Sequence, residues 1–302
     1  MADIAHHAVS LATTNPAVLT DVTHGTKTVP LSARLYAPFD HAAPWPAAVV
    51  CHGSGDGTAS REQRYAHLLG QHGCAALFID SFAGRRSSRW LRPWSQLVVT
   101  ESVMLADAFA ALRWLAARDE VDPQRIAIAG FGEGGTAAVL SAYRQIAHLF
   151  APCGARFCCH VSYWGLTAHR LVDVTTTGAP VALLNGALDT TVNLARAKLI
   201  AGDLQLGGSA VEDLVFPDTD RCWDMDEREP LSHRRSLSKL ALHIRPDHVI
   251  VDERRGAAVR GLSTRRLALA CAASGSVVPG KRNEKVSAQS DQLLLRYVQD
   301  ID

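Results

Sequence analysis

The segment Gly130-Phe131-Gly132-Glu133-Gly134 has the spacing of a G-x-S-x-G nucleophile elbow, with glycine at the position of the nucleophile. An apolar run from Arg125 to Gly130 precedes it, and a helix of small residues is predicted to follow it. The central residue of such an elbow needs a positive φ, which glycine reaches at little steric cost. The motif therefore predicts that the backbone of the site is kept while the catalytic hydroxyl is lost.

A glycine-rich turn between a strand and a helix can also cradle phosphates. Gly130, Gly132 and Gly135 match G-x-G-x-x-G. A dinucleotide site, however, places this motif after the first strand and an acidic residue at the end of the next one. Here at least two strand–helix units come first, and the next strand, which ends at Tyr163-Trp164, carries no acid. The sequence thus favours the elbow.

An elbow without its side chain keeps its electrostatic properties. The backbone N–H of Glu133 and one from the loop at Gly53 and Ser54 are predicted to form an oxyanion hole at a helix N-terminus. Such donors stabilise an enolate as well as an acyl-transfer intermediate. The Glu133 side chain is either part of the chemistry or a carboxylate favoured by the helix dipole.

Strand-like and helix-like runs alternate, which predicts an α/β fold with a mainly parallel central sheet flanked by helices on both faces. An antiparallel hairpin about Gly25 is expected within residues 21–38. The other predicted strands are 47–51, 74–80, 125–130, 157–164, 181–185 and 211–216, and the predicted helices are 61–71, 100–118, 193–205 and 287–299. The whole chain, 1–302, is expected to form a single domain, with 224–284 as an insertion or cap.

The composition excludes several classes of function. The chain has 31 Lys and Arg against 30 Asp and Glu, so neither nucleic acid nor an anionic membrane is an expected partner. The N-terminus does not have the pattern of a signal peptide, and the seven cysteines form no C-x-x-C pair, so a reducing cytoplasm is expected. No residue set has metal-site spacing, and no cofactor is expected.

The chain resembles the dienelactone-hydrolase-like branch of the α/β-hydrolase superfamily from about residue 20 to 224. The matching segments are LYAP, AAVVCHGSGDG, IDSFAGR, IAIAGFGEGG, PVALLNGALDTTV and EDLVFPDTDRCWD. The resemblance implies an α/β-hydrolase fold and a triad with its nucleophile at Gly132, its acid at Asp189 and its base at Arg221. Only the acid survives, because arginine stays protonated and cannot act as a general base near neutral pH.

Other residues could complete the pocket. A displaced base could come from His233, His243 or His248, and Cys222 is a candidate substitute nucleophile. Arg221 could bind a substrate carboxylate or pair with Asp189. The candidate substrate-binding residues are His52, Arg85, Arg86 and Trp164, although His52 of this motif usually contributes backbone and the two arginines could form a solvated surface pair.

Three functions remain open. The first is an enzyme of small-molecule metabolism or biosynthesis that acts on a carbonyl-containing metabolite without a covalent Ser or Cys nucleophile, as a lyase, isomerase or cyclase. The second is an inactive pseudoenzyme or ligand-binding protein. The third is an ester or lactone hydrolase in which Gly132 replaces the native nucleophile. The expected partner is a small-molecule substrate, and both a monomer and a homodimer are compatible with the sequence.

Overall fold

Two sheets organise the described part of the chain. A computed structural model describes residues 6–38, 40–53, 59–85, 99–225, 236–275 and 280–299. Its strands are β1 (His7–Thr14), β2 (Thr28–Tyr36), β3 (Trp45–Cys51), β4 (Ala75–Asp80), β5 (Val121–Phe131), β6 (His160–Tyr163), β7 (His169–Leu171), β8 (Val181–Gly186), β9 (Val211–Phe216), β10 (Leu242–Ile244), β11 (Ile250–Asp252) and β12 (Ala257–Val259). The central sheet has the order β1-β2-β4-β3-β5-β6-β8-β9, and its strands from β4 to β9 are parallel.

Helices cover both faces of the central sheet. They are α1 (Thr20–His24), α2 (Ala59–Gln71), α3 (Glu101–Ala116), α4 (Glu133–Ser141), α5 (Arg144–Phe150), α6 (Leu194–Leu206), α7 (Leu262–Ala272) and α8 (Glu284–Gln299). Alternate residues of β3 enter two separate cores: Val49 packs in the core covered by α3 and α4, and Val50 packs in the core covered by α2 and α8. A strand buried on both faces explains the continuous apolar run AAVVC. The predicted α/β-hydrolase architecture is confirmed.

The predicted hairpin about Gly25 is wrong. Strand β2 lies between β4 and the earlier strand β1, and it pairs antiparallel with both; β1 pairs with it from His7 to Thr14. The intervening helix α1 is stabilised by Asp21, whose Oδ2 accepts the backbone N–H groups of Ala17 and Val18. This carboxylate bonding organises a helical turn where a hairpin strand was expected.

Part of the predicted insertion or cap, residues 236–275, contains the second sheet. Its order is β12-β11-β10-β7, so β7 of the main chain pairs in parallel with β10. Two ion pairs hold this region to the central domain: Arg265 of α7 lies 2.6 Å from Glu101 of α3, and Arg196 of α6 lies 2.6 Å from Glu253. Among the described helices, none has the length and apolar character needed to cross a membrane.

Candidate active site

The turn between β5 and α4 has the backbone of a nucleophile elbow. Gly132 lies there with φ 53° and ψ −112°, which confirms the positive φ expected from the sequence. Its N–H donates to the carbonyl of Tyr163 at 2.9 Å, and its carbonyl accepts the N–H of Thr136 at 3.0 Å. These bonds join the elbow to the neighbouring strand and to the helix it begins. The turn is therefore fixed without any side chain at position 132.

Different physical constraints favour glycine at the three positions of the motif, 130, 132 and 134. A Cβ at Gly130 would lie 2.1 Å from the carbonyl oxygen of Gly134, and a Cβ at Gly134 would lie 2.3 Å from the carbonyl oxygen of Cys51. A Cβ at Gly132 would meet nothing closer than 3.7 Å, which is ordinary van der Waals distance. Close packing of strand and helix demands glycine at 130 and 134, whereas at 132 only the positive φ favours it.

The space beside Gly132 is surrounded by groups that could hold a ligand oxygen. The position of a Cβ there lies 3.7 Å from Gly53 Cα, 3.8 Å from Arg221 Nη2 and 3.8 Å from Trp164 Cδ1. The indole nitrogen of Trp164, which is bonded to Cδ1, is buried and has no hydrogen-bond partner among the described residues. The guanidinium of Arg221, which is permanently charged, and the indole ring of Trp164 thus border the space beside Gly132.

Asp189 follows β8 and is buried. Its Oδ1 accepts the backbone N–H of Thr191 at 2.7 Å and the hydroxyl of Thr191 at 2.6 Å. Its Oδ2 is also buried, yet it meets no hydrogen-bond partner in the described part of the chain. The pairing with Arg221 that the sequence allowed is therefore not formed. One oxygen of this carboxylate is oriented by Thr191, and the other is available as an acceptor.

The loop that carries Arg221 packs beside the Asp189 loop. The N–H of Leu188 donates to the carbonyl of Thr219 at 3.0 Å. Burial and the negative charge of Asp189 raise the pKa of Asp220. The expected acid and the residue at the expected base position thus lie in adjacent loops at the carboxyl end of the sheet, where this fold class places its ligands.

Of the residues expected to form the oxyanion hole, Glu133 and Gly53 are among those that the structure describes. Glu133 is the first residue of α4, so its backbone N–H lies at the positive end of the helix dipole. Gly53 is buried, and its Cα borders the space beside Gly132. Ser54 lies outside the described residues. Two of the three predicted contributors are therefore next to the elbow.

His52 is held by backbone on both sides of its ring. Its Nε2 accepts the N–H of Ser81 at 3.0 Å, which leaves the ring proton on Nδ1 to donate to the carbonyl of Gly53 at 2.8 Å. Both ring nitrogens are therefore engaged within the fold. This geometry supports the structural alternative for His52 over a polar contact with substrate.

The substrate-binding prediction for Arg85 is not supported by its contacts. Its Nη1 and Nη2 form a two-pronged ion pair with buried Asp107, at 2.6 and 2.7 Å. The remaining guanidinium hydrogens reach the side chain of Asn15 and the carbonyls of Ser81 and Thr14. All five donors are used, so Arg85 anchors its loop to α3. Arg86 lies outside the described residues.

The candidates for a displaced base are not brought to the elbow by any described contact. His248 Nδ1 accepts a hydrogen bond from Gln145 of α5, which lies beyond the C-terminal end of α4, whereas the elbow is at its N-terminal end. His243 lies on β10, in the second sheet. His233 is outside the described residues.

The two cysteines nearest the candidate site, Cys51 and Cys222, are both buried. Cys222 is buried next to Arg221 and adopts a positive φ of 57°. Burial raises the pKa of the Cys51 thiol, which makes it a poor nucleophile. Within the described ranges, no group of three or more His, Cys, Asp or Glu residues could hold a metal ion.

A buried ion pair lies beside the elbow, and no motif in the sequence predicts it. Arg61 of α2 bonds both carboxylate oxygens of Asp224, at 2.9 and 3.1 Å, and the Asp224 side chain is completely buried. The guanidinium carbon of Arg61 also lies 5.0 Å from the ring centroid of Phe131 and 5.4 Å from that of Trp164. Because its members are distant in the chain, spacing could not reveal this pair. The Arg61–Asp224 ion pair holds the segment next to Arg221 against the aromatic rings of Phe131 and Trp164.

Comparison with known proteins shows the family and the fold of this chain. The sequence matches the model of the dienelactone hydrolase family over residues 31–236. No curated protein matches the chain.

Solved structures of low sequence identity share the fold. A candidate dienelactone hydrolase from Klebsiella pneumoniae subsp. pneumoniae MGH 78578 is 16% identical with a TM-score of 0.58, covering 97% of this chain and 98% of that one. A dienelactone-hydrolase-like promiscuous phosphotriesterase from metagenomic libraries is 17% identical with a TM-score of 0.59, covering 98% and 99%. The apo form of Thermogutta terrifontis esterase 2 is 18% identical with a TM-score of 0.51, covering 71% and 85%. At these identities the similarity establishes the fold alone.

Proposed function

The chain belongs to the dienelactone hydrolase family, and we propose that it is an enzyme of that family that acts on a small carbonyl-containing metabolite without a covalent nucleophile. The observation that carries the proposal is the space beside Gly132, bordered by Arg221 Nη2 and Trp164 Cδ1, each at 3.8 Å. A substrate oxygen placed there meets a cation and an indole N–H instead of a serine or cysteine. The site is built to stabilise negative charge on oxygen.

The proposed chemistry begins with removal of a proton from the carbon next to the carbonyl. The unpartnered Oδ2 of Asp189 accepts that proton, the C–H electron pair forms a carbon–carbon double bond, and the carbonyl electrons move to oxygen. Arg221, Trp164 and the backbone N–H of Glu133 stabilise the resulting enolate. Return of the proton elsewhere gives an isomerase, loss of a leaving group gives a lyase, and attack within the molecule gives a cyclase.

Exchange of substrate protons with solvent tests this step directly. The purified protein is incubated in D₂O with a panel of small ketones, lactones and keto acids, and loss of the α-proton signal is followed by NMR. We expect exchange on at least one compound, and we expect Asp189→Asn to slow it by about 10²-fold or more. Asp119→Asn, an exposed surface carboxylate, is the matched control. Equal exchange rates in the wild type and Asp189→Asn would contradict the proposed base.

Membership of the family favours one other candidate, an ester or lactone hydrolase that uses a nucleophile other than residue 132. A fluorophosphonate probe followed by intact-protein mass spectrometry separates the two. The non-covalent proposal predicts no adduct on the wild-type protein and no hydrolysis of p-nitrophenyl esters. A stoichiometric adduct would favour the hydrolase, whereas absence of both adduct and proton exchange would favour a ligand-binding pseudoenzyme.

A further inference from the structure

A second pocket lies entirely within the region 239–272. It has a volume of about 270 Å³. One wall is the loop at Lys239 and Leu240, a second is the turn at Arg254 and Arg255, and a third is the face of α7 that carries Ala268 and Cys271. None of its lining residues belongs to the elbow site. The pocket is close to the lower size limit of small-molecule sites in proteins.

The walls of this pocket are ordered by their own hydrogen bonds. Oδ1 of Asp252 accepts the backbone N–H groups of Arg254 and Arg255, at 3.0 and 3.3 Å, which fixes the turn that carries both arginines. The N–H of Glu253 donates to the carbonyl of Ala241 at 2.9 Å and joins that turn to the loop. The pocket is therefore formed before any ligand enters, which lowers the entropic cost of binding.

Three cations, Lys239, Arg254 and Arg255, and one buried carboxylate, Asp252, line the pocket. Lys239, Arg254 and Arg255 are exposed, and no side-chain hydrogen bond or ion pair joins any of them to another described residue. Arg265 of the same region, in contrast, is bonded to Glu101. Residues 236–275 hold seven Lys and Arg against three Asp and Glu, although the whole chain has a net charge of only +1. Residues 236–275, which contain the pocket, therefore carry an excess of positive charge.

The floor of the pocket is apolar. Leu240, Ala268 and Ala272 line it, each only 5% exposed. Ala268 and Ala272 are one helical turn apart and so present a continuous small-residue surface on α7. A ligand that fits has a compact apolar body against this floor and negative charge at the cationic rim.

We propose that this pocket binds an organic phosphate monoester. A phosphate monoester carries a charge of about −1.5 to −2 at pH 7 and three strong acceptor oxygens, which suits a lining of three cations and one carboxylate better than a ligand carboxylate with one charge. Arginine binds such oxygens through two parallel hydrogen bonds. This inference does not depend on the chemistry proposed at the elbow.

Two exposed cysteines provide an internal control for the test. Cys271 lines the pocket, and Cys153 is exposed after α5, outside it. The full-length protein is treated with iodoacetamide, a neutral reagent, and alkylation of the two cysteine peptides is followed by mass spectrometry. With phenyl phosphate at ten times its dissociation constant, we expect alkylation of Cys271 to slow about elevenfold by mass action, while alkylation of Cys153 is unchanged.

Comparison ligands and variants identify the chemistry that binds. Benzoate and benzyl alcohol are expected to protect Cys271 much less than phenyl phosphate, and inorganic phosphate less than phenyl phosphate because it lacks the apolar group. Arg255→Gln or Lys239→Gln should raise the phenyl phosphate concentration for half-protection about tenfold. Arg260→Gln, which removes a cation outside the pocket, should leave it unchanged.

Several results would overturn the proposal. These are no protection of Cys271 by phenyl phosphate, equal protection of Cys153, equal protection by benzoate, or an effect of Arg260→Gln as large as that of Arg255→Gln. Because all three substitutions are at exposed positions, loss of folding is not expected to obscure the result.

Discussion

The elbow end of the central sheet and residues 236–275 differ in whether backbone geometry or charged side chains define the candidate site. At the elbow, Gly132 has the positive φ expected at a nucleophile position, and Arg221 and Trp164 border the space beside it. In residues 236–275, the backbone elements are short, and the charged side chains determine how the region is held and what its pocket can bind. The comparison teaches that backbone geometry defines the candidate site at the elbow, whereas charged side chains define the pocket in residues 236–275.

The largest expected effect comes from the buried ion pair beside the elbow. Asp224→Asn leaves the cation of Arg61 buried without its carboxylate, and we expect it to lower the free energy of unfolding by about 3–5 kcal/mol. Glu212→Gln, which breaks the exposed pair with Arg296, should cost less than about 1 kcal/mol. Urea denaturation measures both. Similar losses in the two variants would show that Asp224 does not hold the elbow in place.

The ion pair that anchors residues 236–275 should make stability depend on pH. Burial alone would raise the pKa of Glu101, but the charge and hydrogen bond of Arg265 hold it at about 2, below the ordinary 4.5. A carboxyl whose folded pKa is depressed stabilises the fold above its unfolded pKa. That contribution, roughly 3 kcal/mol, is lost as pH falls from about 4.5 toward 2.

The variant Glu101→Gln isolates this contribution. Its free energy of unfolding should be lower than that of the wild type at pH 6, and the difference should shrink as pH falls through the window from 4.5 to 2. Urea unfolding at a series of pH values measures it. A difference independent of pH would assign the loss to packing instead of to the charge of Glu101.

Alanine substitutions at two glycines of the elbow should separate the cost of a steric clash from the cost of backbone strain. Gly134→Ala places a Cβ 2.3 Å from a backbone carbonyl and should destabilise the protein by about 3 kcal/mol. Gly132→Ala meets only ordinary contacts, so its cost, about 1 kcal/mol, comes from the positive φ. Thermal and urea unfolding should show the first variant to be clearly weaker. The reverse order would mean that space, not conformation, restricts residue 132.

The smallest expected effect lies at the cationic pocket. Arg254→Gln removes an exposed side chain with no described partner, and its effect on unfolding should stay within about 0.5 kcal/mol. Its thermal unfolding curve, compared with that of the wild type, checks this. A loss as large as that of Glu101→Gln would give Arg254 a structural role and weaken the case for a binding site.

Most of the fold could be predicted from local sequence patterns, such as apolar runs and the glycines that follow them. The run RIAIAG and the glycines after it specify strand, turn and helix through short-range chemistry, and the strand at 211–216 was predicted at its observed bounds. The entry hairpin failed because the decisive contact, Asp21 with the amides of Ala17 and Val18, competes locally with strand formation.

The site was less accessible to sequence reasoning because its contacts join distant segments. Spacing predicted the elbow, and the family resemblance implied the roles of Asp189 and Arg221, but neither could show that Arg85 is fully bonded to Asp107 and its neighbours. The Arg61–Asp224 pair spans 163 positions and follows no motif. Short strands in 236–275 are stabilised by partners such as β7, so their own sequence is a weak guide.

We propose that the elbow keeps the backbone of a nucleophile site, while Gly132 and Arg221 occupy the expected positions of the nucleophile and the base. Labelling by a fluorophosphonate probe tests it in three proteins: wild type, Gly132→Ser, and Gly132→Ser with Arg221→His. We predict no adduct on the wild type, little on the single variant because arginine cannot take the serine proton, and a stoichiometric adduct at residue 132 in the double variant, oriented by Asp189. An adduct on the wild type, or equal labelling of the single and double variants, would contradict the claim.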